Sequence, residues 1–515
     1  MSATLQEPRR TVLARLSEGG WEVALLLVVG LATVGAAISG RAAIAAAPVL
    51  IVACLVVLLR APLRWSTAAL IFLLLAVDTS MVEGACPHGL TCRWRTPFVF
   101  LGDLLHGPLP GVPVTGMEVL VVLLLGIWAH RRAGGSAIDT RGAVASPRVL
   151  RGLSLLFVAA VLFSDVYGLA RGGELALWKL RNLLHPIALF ALFEVAFRGP
   201  LDHRLVGRVI VLSATIRAAL AVVIQMVARA QSGGTLESGT SHGDSVLFTV
   251  GVFLLLADLL ERPTRRKLVR ALVLLPVLLL GISENDRRLA WVMLAAMLAV
   301  AYLVSPMTRW RRALTRVVAV GLPVITLYLA VGWNRDSLVF RPVRTFRSVI
   351  DTSVDHSAYW REVENWNIVE SMRAGPLLGA GLGRYYTEHM QNDDITGDYE
   401  EYRRWPHNTV LGLLFLMGLL PFTATWMLYA AATFLAARAY RMATRPEDRA
   451  AALSCLAAMV ACHLLAWGDT GAHYPQYKVI LALVLAASGK LAVATGAWPV
   501  GTSSGLAKAT EEQAA

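Results

Sequence analysis

The sequence predicts an all-α protein that crosses a membrane many times. Of its 515 residues, 56% are hydrophobic and only 16% are charged, whereas soluble domains carry about 25% charged residues. Apolar runs of roughly 17 to 25 residues recur from end to end, and each is long enough to cross a hydrocarbon core about 30 Å thick. Many basic residues lie in short loops between these runs, and such loops face the cytoplasm under the positive-inside rule.

The apolar runs predict about 14 transmembrane helices, with both termini in the cytoplasm. The first 11 or so fill residues 1–333, and the last three lie within residues 409–495. Between helices 11 and 12, residues 334–408 form one large extracytoplasmic helical loop. Residues 496–515 are small and polar and predict a disordered cytoplasmic tail. The predicted spans are near 21–39, 43–59, 65–79, 117–130, 150–168, 178–197, 209–229, 244–260, 271–283, 289–304, 318–333, 409–437, 451–467 and 479–495.

The formal net charge of +13 would point to a nucleic-acid partner in a soluble protein. Here the positive-inside rule accounts for many of the basic residues, because they occupy loops such as "ERPTRRKLVR" and "SPMTRWRRALTR". We therefore expect no nucleic-acid partner, and the lipid bilayer is the partner that the composition predicts.

Two of the five cysteines, Cys86 and Cys92, lie in the segment "CPHGLTC" of a loop predicted to be outside. A disulfide between them is expected if that side of the membrane is oxidising. A metal site that includes His88 is the alternative, but too few ligands lie nearby. We expect no metal ion and no cofactor.

The large loop contains two recognisable local patterns. The segment "HSAYWREVENWNIVESMRAG" predicts a short helix that ends at Gly375 and Pro376. The following "PLLGAGLGRYY" predicts a tight turn built on Gly379, Gly381 and Gly383. It is not read as a phosphate-binding loop, because no Lys-Ser/Thr follows and no strand precedes it.

Arginines on the predicted outer side need an explanation beyond the positive-inside rule. They are Arg181 in "WKLRNLLHP", Arg287 and Arg288 in "ENDRRLAW", and Arg403 and Arg404 in "RRWPHN". Interfacial anchoring is the plainer interpretation of any single one. Together they would suit a lipid-linked diphosphate, because guanidinium groups bind phosphate oxygens in pairs and such a headgroup lies at helix ends.

His407 is the candidate general base. Imidazole titrates near neutral pH, so a neutral ring can accept a proton from a sugar hydroxyl. Asn408 can cap the helix that begins there. The alternative is a histidine that merely sits at the level of the headgroups, in which case His242 and His473 are the next candidates for the base.

The sequence resembles the O-antigen ligase and polymerase family of bacterial membrane glycosyltransferases. The resemblance is carried by "ENDRRLAWVMLAAML" with Arg288, by "YWREVENWNIVESMRAGPLLGAGLGRYY" with Arg361, and by "PHNTVLGLLFLMGLLP" with His407. Arg181 resembles an earlier arginine near the outer end of a helix. The match covers about residues 178–430, and Asp286-Arg287 stands where the family often has a small hydroxyl residue before the arginine.

The resemblance implies an inverting, metal-independent glycosyltransferase of the bacterial inner membrane, with its active site on the extracytoplasmic face. The donor would be an undecaprenyl-diphosphate-linked glycan, and the acceptor a hydroxyl of a glycan or a lipid core. Flippase and chain-length regulator proteins are the candidate partners. The predicted number of spans favours polymerase over ligase. His407 is the implied base, and the implied diphosphate-binding residues are Arg181, Arg287, Arg288, Arg361 and Arg404.

Two other functions fit parts of the pattern. A transporter or flippase of lipid-linked sugars would use the same arginines, and would show broken helices and polar residues within the membrane. Arg217 and Gln225 in the seventh predicted span are hints of that kind. A lipid II polymerase-like enzyme would favour an acidic catalytic residue over His407.

Overall fold

A computed structural model describes residues 56, 58–77, 114–135, 142–174, 176–232, 239–306, 309–335, 337–340, 343, 347, 356–392 and 403–499. The chain divides into two compact units, Met1–Ser66 and Thr67–Ala515. All contacts discussed below belong to the second unit. The first predicted span, most of the second, the Cys86–Cys92 pair and the predicted tail from residue 500 lie outside the described residues.

The described residues fold into α-helices joined by turns and short loops, with no β-strand among them. We number them α1 (Leu63–Phe72, continued by a π-helical turn at Leu73–Val77), α2 (Gly116–Ala133), α3 (Arg148–Ala170), α4 (Ala176–Ala196), α5 (Pro200–Ser232), α6 (Asp244–Glu261), α7 (Arg265–Asn285), α8 (Arg288–Val304), α9 (Arg309–Gly332), α10 (His356–Met372), α11 (Thr409–Met417), α12 (Leu419–Met442), α13 (Pro446–Gly468) and α14 (Pro475–Ala494).

Six of the described helices are long and apolar enough to cross a membrane, namely α3, α5, α7, α12, α13 and α14. Three shorter apolar stretches, Leu63–Val77, Arg288–Val304 and Val318–Gly332, lie at predicted spans. The chain is thus an all-α, multi-pass membrane protein, as the composition predicts. The total of about 14 spans and the position of residues 334–408 outside the membrane stay predictions.

The bundle is built around α13 and α14, the most buried of the long helices. Helix α13 packs against α6, α8, α12 and α14. In contrast, α7 is the most exposed of the six, and it presents Leu268, Val269 and Leu272 on its outer face. Apolar side chains exposed in this way are expected of a helix that faces lipid.

The prediction of one continuous helix over residues 409–437 is wrong. The helix ends at Met417 and restarts at Leu419, because Gly418 adopts φ 69° and ψ 174°. A side chain at that position would overlap the backbone of Gly379 and Leu378. The break therefore requires a glycine for both its conformation and its close backbone contact.

The glycine-rich turn packs into this break and forms hydrogen bonds with the backbone groups of the two helix ends. The N–H groups of Ala380 and Gly381 donate to the carbonyls of Phe415 and Leu416 at 2.9 and 2.8 Å, at the end of α11. In the other direction, the N–H of Leu419 donates to the carbonyl of Pro376 at 2.9 Å. Polar backbone groups inside a membrane protein must find such partners.

Both local predictions for the large loop are confirmed. The predicted short helix is α10, and the chain leaves it just before Gly375. Gly379, Gly381 and Gly383 all have positive φ, at 72°, 94° and 81°. The turn is therefore a structural element that joins α10 to the α11–α12 break.

Candidate functional site

The candidate site lies where several helices end together. Arg361 on α10 donates from Nη1 to the carbonyl of Gly468, the last residue of α13, at 3.0 Å. Thr409, the first residue of α11, donates its hydroxyl to the carbonyl of Asp469 at 3.1 Å. His242, in the loop before α6, contacts the Asp469 carboxylate. These contacts bring the ends of four helices into one cluster.

His407 and Glu364 form the central pair of this cluster. The Nδ1 atom of His407 lies 3.2 Å from Oε2 of Glu364, and the backbone N–H of His407 donates to the same oxygen at 3.2 Å. The Glu364 side chain is only 2% exposed, whereas His407 is 27% exposed. Because a carboxylate only accepts, Nδ1–H is the donor to it, and in a neutral ring the acceptor lone pair is then on Nε2.

Local sequence explains how His407 is held at the start of a helix. Asn408 is the N-cap of α11, and its Oδ1 accepts a hydrogen bond from the backbone N–H of Leu411 at 3.0 Å, which confirms the predicted cap. Pro406 packs over Gly412, where a Cβ atom would lie only 2.7 Å from the proline ring. The entering chain is therefore fixed against the first turn of α11.

Asp469 is a second buried carboxylate beside Arg361. Its Oδ2 lies 2.5 Å from Nδ1 of His242, and its Oδ1 accepts from the backbone N–H of Thr470 at 2.8 Å. Burial raises the pKa of this carboxyl, but the hydrogen bond from His242 and the charge of Arg361 outweigh burial and bring it below the usual range. Asp469 is therefore a negative charge that orients His242 and lies close enough to Arg361 to interact with it electrostatically.

Arg287 and Arg288 lie at the start of α8, beside the same cluster. Asp286 takes φ 50° at the end of α7, and Arg287 then precedes the first residue of α8. A Cβ atom at Gly468 would lie 3.1 Å from the side chain of Leu289, so this helix start adjoins the end of α13. Both arginines are half-buried.

Arg404 is held by its own partners. It forms an ion pair with Glu174, and its guanidinium carbon lies 4.3 Å from the centre of the Tyr385 ring. The neighbouring Arg403 pairs with Glu388 at 3.7 Å. These contacts tie the segment before His407 to the loop after α3 and to the segment after the glycine-rich turn.

Arg181 belongs to a different polar network, between α2, α4 and α14. Its Nε lies 3.5 Å from Oε1 of Glu118, and Nε2 of His185 lies 2.8 Å from the same oxygen. In the same network, Nζ of Lys478 on α14 donates to Oδ1 of Asn182 on α4 at 2.7 Å. Of the predicted site residues, Arg361 and His407 thus share one network, Arg287 and Arg288 adjoin it, and Arg181 and Arg404 have carboxylate partners elsewhere.

Sequence reasoning missed Glu364, the partner of His407. Its signal was the spacing "REVE", because residues three apart on a helix lie on one face and Arg361 was already a candidate. Sequence reasoning also did not predict that Asp244 pairs with Arg217. The two form a completely buried ion pair between α5 and α6. Within the described ranges, no group of three or more His, Cys, Asp or Glu residues could hold a metal ion.

The site lies where several helices end, and it combines a histidine oriented by a buried carboxylate with arginines beside it. These features define a membrane protein with a polar site at one end of its bundle. No protein-family model matches the chain. No curated protein matches it either. The site itself therefore carries the argument about function.

Proposed function

We propose that the protein is an inverting glycosyltransferase that takes its donor glycan from an undecaprenyl diphosphate carrier, and that it polymerises a surface polysaccharide rather than ligating one. The observation that supports this most is the His407–Glu364 pair beside Arg361 at the end of an apolar bundle. A lipid-linked diphosphate keeps its tail in the bilayer and its headgroup at such helix ends. The resemblance to O-antigen polymerases and ligases points to the same chemistry.

In this proposal His407 is the general base. Glu364 accepts the Nδ1–H bond and fixes the ring, so that Nε2 can take the proton of an acceptor hydroxyl. The hydroxyl oxygen then forms a bond to the anomeric carbon as the bond between that carbon and the diphosphate oxygen breaks. The configuration inverts, and undecaprenyl diphosphate leaves with the bonding electron pair.

The arginines would stabilise the charge that develops on the leaving diphosphate. Arg361 is the best placed, because it shares the cluster with His407 and its guanidinium is oriented by the Gly468 carbonyl. Arg287 and Arg288 adjoin the same helix ends. Arg181 and Arg404 would have to exchange their carboxylate partners for the diphosphate, so their roles in binding are secondary in this proposal.

The test compares His407→Asn and Glu364→Gln with wild type in a strain whose own copy of the gene is deleted. Loss of a positioned base typically costs about 10² to 10⁴ in rate, so His407→Asn should yield almost no polymer. Glu364→Gln keeps the shape but loses the negative charge that orients the ring, so it should yield an intermediate amount. Mass spectrometry of the carrier-linked and surface glycans measures both.

His389→Asn is the matched control, because His389 is an exposed histidine of the segment between α10 and α11 and should leave polymer unchanged. Single repeat units that accumulate on the carrier indicate a lost polymerase, and long chains stranded there indicate a lost ligase. Normal product from His407→Asn, at matched amounts in the membrane, would make His407 an interfacial anchor and refute the proposed mechanism.

A transporter of lipid-linked sugars is the second candidate, and the α11–α12 break at Gly418 favours it. Broken helices are typical of transporter binding sites. The buried Arg217–Asp244 pair favours it less, because Asp244 begins α6 and so the pair lies at a helix end. Purified protein in vesicles distinguishes the two: a transferase joins glycans without moving donor between leaflets, and a transporter does the reverse.

A further inference from the structure

A second polar site lies at the opposite end of the bundle. A cleft of about 380 Å³ opens between the start of α5, the end of α6, and the starts of α7 and α13. Helix α13 has 23 residues and runs from this cleft to Gly468 beside Arg361. At 1.5 Å per residue, the two sites are about 33 Å apart along the helix axis, which is about the thickness of a hydrocarbon core.

The cleft carries more positive than negative charge. Six basic residues and three acidic ones line it, namely Arg204, Arg208, Arg262, Arg266, Lys267, Arg270, Asp258, Glu447 and Asp448. Two of the acids already have partners, since Glu447 pairs with Arg204 and Arg262, and Asp258 pairs with Lys267. Asp448 is the third, so six basic side chains still face three acidic ones.

Three arginines of the cleft have no ion-pair partner among the described residues. Arg208, Arg266 and Arg270 have no carboxylate within ion-pair distance in the parts of the chain that the structure describes. They lie on α5 and α7, two helices that pack against each other and both line the cleft. An anion that enters the cleft would therefore meet uncompensated positive charge from both helices.

The first turn of α7 adds to the positive charge at the cleft. It contains Arg265, Arg266 and Lys267 and no acidic residue. Basic side chains at a helix N-terminus are unfavourable, because the helix dipole places partial positive charge there. A bound phosphate would offset this unfavourable accumulation of positive charge, since backbone N–H groups at a helix start bind anions.

An apolar groove of about 90 Å³ continues from the cleft into the bundle, between α5, α6, α13 and α14. Its walls include Ile210, Val250 and Leu483. His203 and Gly207 line both the cleft and the groove. The two ring nitrogens of His203 are buried and have no hydrogen-bond partner among the described residues, so a polar group of a ligand at this junction would satisfy them.

We propose that this cleft and groove together bind one anionic phospholipid, independently of the proposed transferase activity. The headgroup phosphate occupies the cleft near Arg208, Arg266 and Arg270, and the beginning of one acyl chain occupies the groove. The combination of an arginine-lined cleft and an adjoining apolar groove favours a lipid over a free phosphate, which has no apolar part. Anionic lipids are attracted to such basic clusters at membrane surfaces.

The experiment measures lipid binding by native mass spectrometry of the full chain purified in a neutral detergent. The probes are dioleoyl phosphatidylglycerol, dioleoyl phosphatidylcholine and glycerol phosphate. Wild type should retain one phosphatidylglycerol and bind phosphatidylcholine at least tenfold more weakly. The triple variant Arg208→Gln, Arg266→Gln and Arg270→Gln should lose about a hundredfold in affinity, because each basic residue contributes on the order of a factor of five.

The acyl groove has its own variant. A Cβ atom at Gly207 would have no atom within 4 Å, so Gly207→Leu projects into the open space without strain in the helix. This variant should weaken phosphatidylglycerol binding at least tenfold. Gly152→Leu on α3, where a Cβ atom is equally free, is the matched control and should bind lipid normally.

Charge removal elsewhere controls for a general effect of net charge. The triple variant Arg132→Gln, Arg438→Gln and Arg441→Gln removes three exposed arginines outside the cleft and should retain lipid. Equal binding of both lipids, equal losses in the two triple variants, or competition by glycerol phosphate at the same concentration as lipid would each refute the proposal. So would a Gly207→Leu variant that binds phosphatidylglycerol as wild type does.

Discussion

The two ends of the bundle differ in how fully their charged groups are paired. At the His407 end, buried charged groups are paired within the protein, as in Glu364 with His407 and Asp469 with His242. At the end with the cleft, exposed arginines such as Arg208 lack a carboxylate partner in the described structure. Buried charges need partners because desolvation is costly, whereas exposed charges remain hydrated.

This difference shows which charges the membrane topology alone can explain. A basic loop at a membrane surface satisfies the positive-inside rule without any specific contact. A buried carboxylate such as Glu364 has no such general explanation, because it must be held in place by a donor. Polar residues at the His407 end are therefore better evidence of a specific site than the larger number of arginines at the other end.

The largest expected effect comes from breaking the most buried pair. Arg217 and Asp244 are both completely buried and bonded to each other. Arg217→Ala should lower the free energy of unfolding by about 3–5 kcal/mol, because it leaves Asp244 as an unpaired buried charge. The midpoint of thermal unfolding in detergent measures this.

Replacing both partners, as in Arg217→Met with Asp244→Leu, should restore much of that loss, because two apolar groups need no partner. Gln476, which donates to Asp244 at 3.0 Å, stays unchanged in this comparison. A double variant as unstable as Arg217→Ala would show that the destabilisation comes from lost packing and not from the unpaired charge.

A smaller effect is expected at the helix break. Gly379 has φ 72°, and a side chain there would overlap the backbone of Leu416 and Gly418. Gly379→Ala should destabilise the protein by about 1–3 kcal/mol, through backbone strain and steric overlap. Gly126→Ala on α2 is the control, because a Cβ atom there meets nothing within 4 Å. Equal melting temperatures for the two variants would contradict the docking of the glycine-rich turn.

The smallest effect is expected for the exposed pair at the cleft. Arg204 and Glu447 lie 2.8 Å apart, but Arg204 is 67% exposed. Arg204→Ala should therefore change the free energy of unfolding by no more than about 1 kcal/mol, and added salt should shrink the difference further. A loss comparable to that of Arg217→Ala, measured in the same detergent, would remove the contrast between the two ends.

Apolar length predicted the helices well, since the predicted spans that fall in the described residues are helical, apart from the interruption of the span 409–437 at Gly418. The N-cap at Asn408 was also predictable, because capping depends on neighbouring residues. The break at Gly418 was not, since other apolar helices contain glycine without breaking, as Gly251 in α6 shows. Helix α11 ends where the glycine-rich turn packs against Gly418. This is a tertiary contact, so the local sequence does not predict it.

The candidate site was predictable only in part for the same reason. His407 and Arg361 could be chosen by residue type and by resemblance. The pairing of His407 with Glu364 spans 43 positions, and that of Asp469 with His242 spans 227. The spacing "REVE" places Glu364 on the same helix face as Arg361, but its pairing with His407 depends on how the helices pack.

The docked turn also has a consequence for biosynthesis. Helix α11 has nine residues and would reach only about 13 Å into the membrane by itself. Its last carbonyls must not be left in lipid without partners. The segment that satisfies them, from Pro376 to Gly381, precedes α11 in the chain and leaves the ribosome first. The segment that binds the end of α11 has therefore already been synthesised when α11 is made. Helix α11 can pack against that segment as soon as the helix enters the membrane.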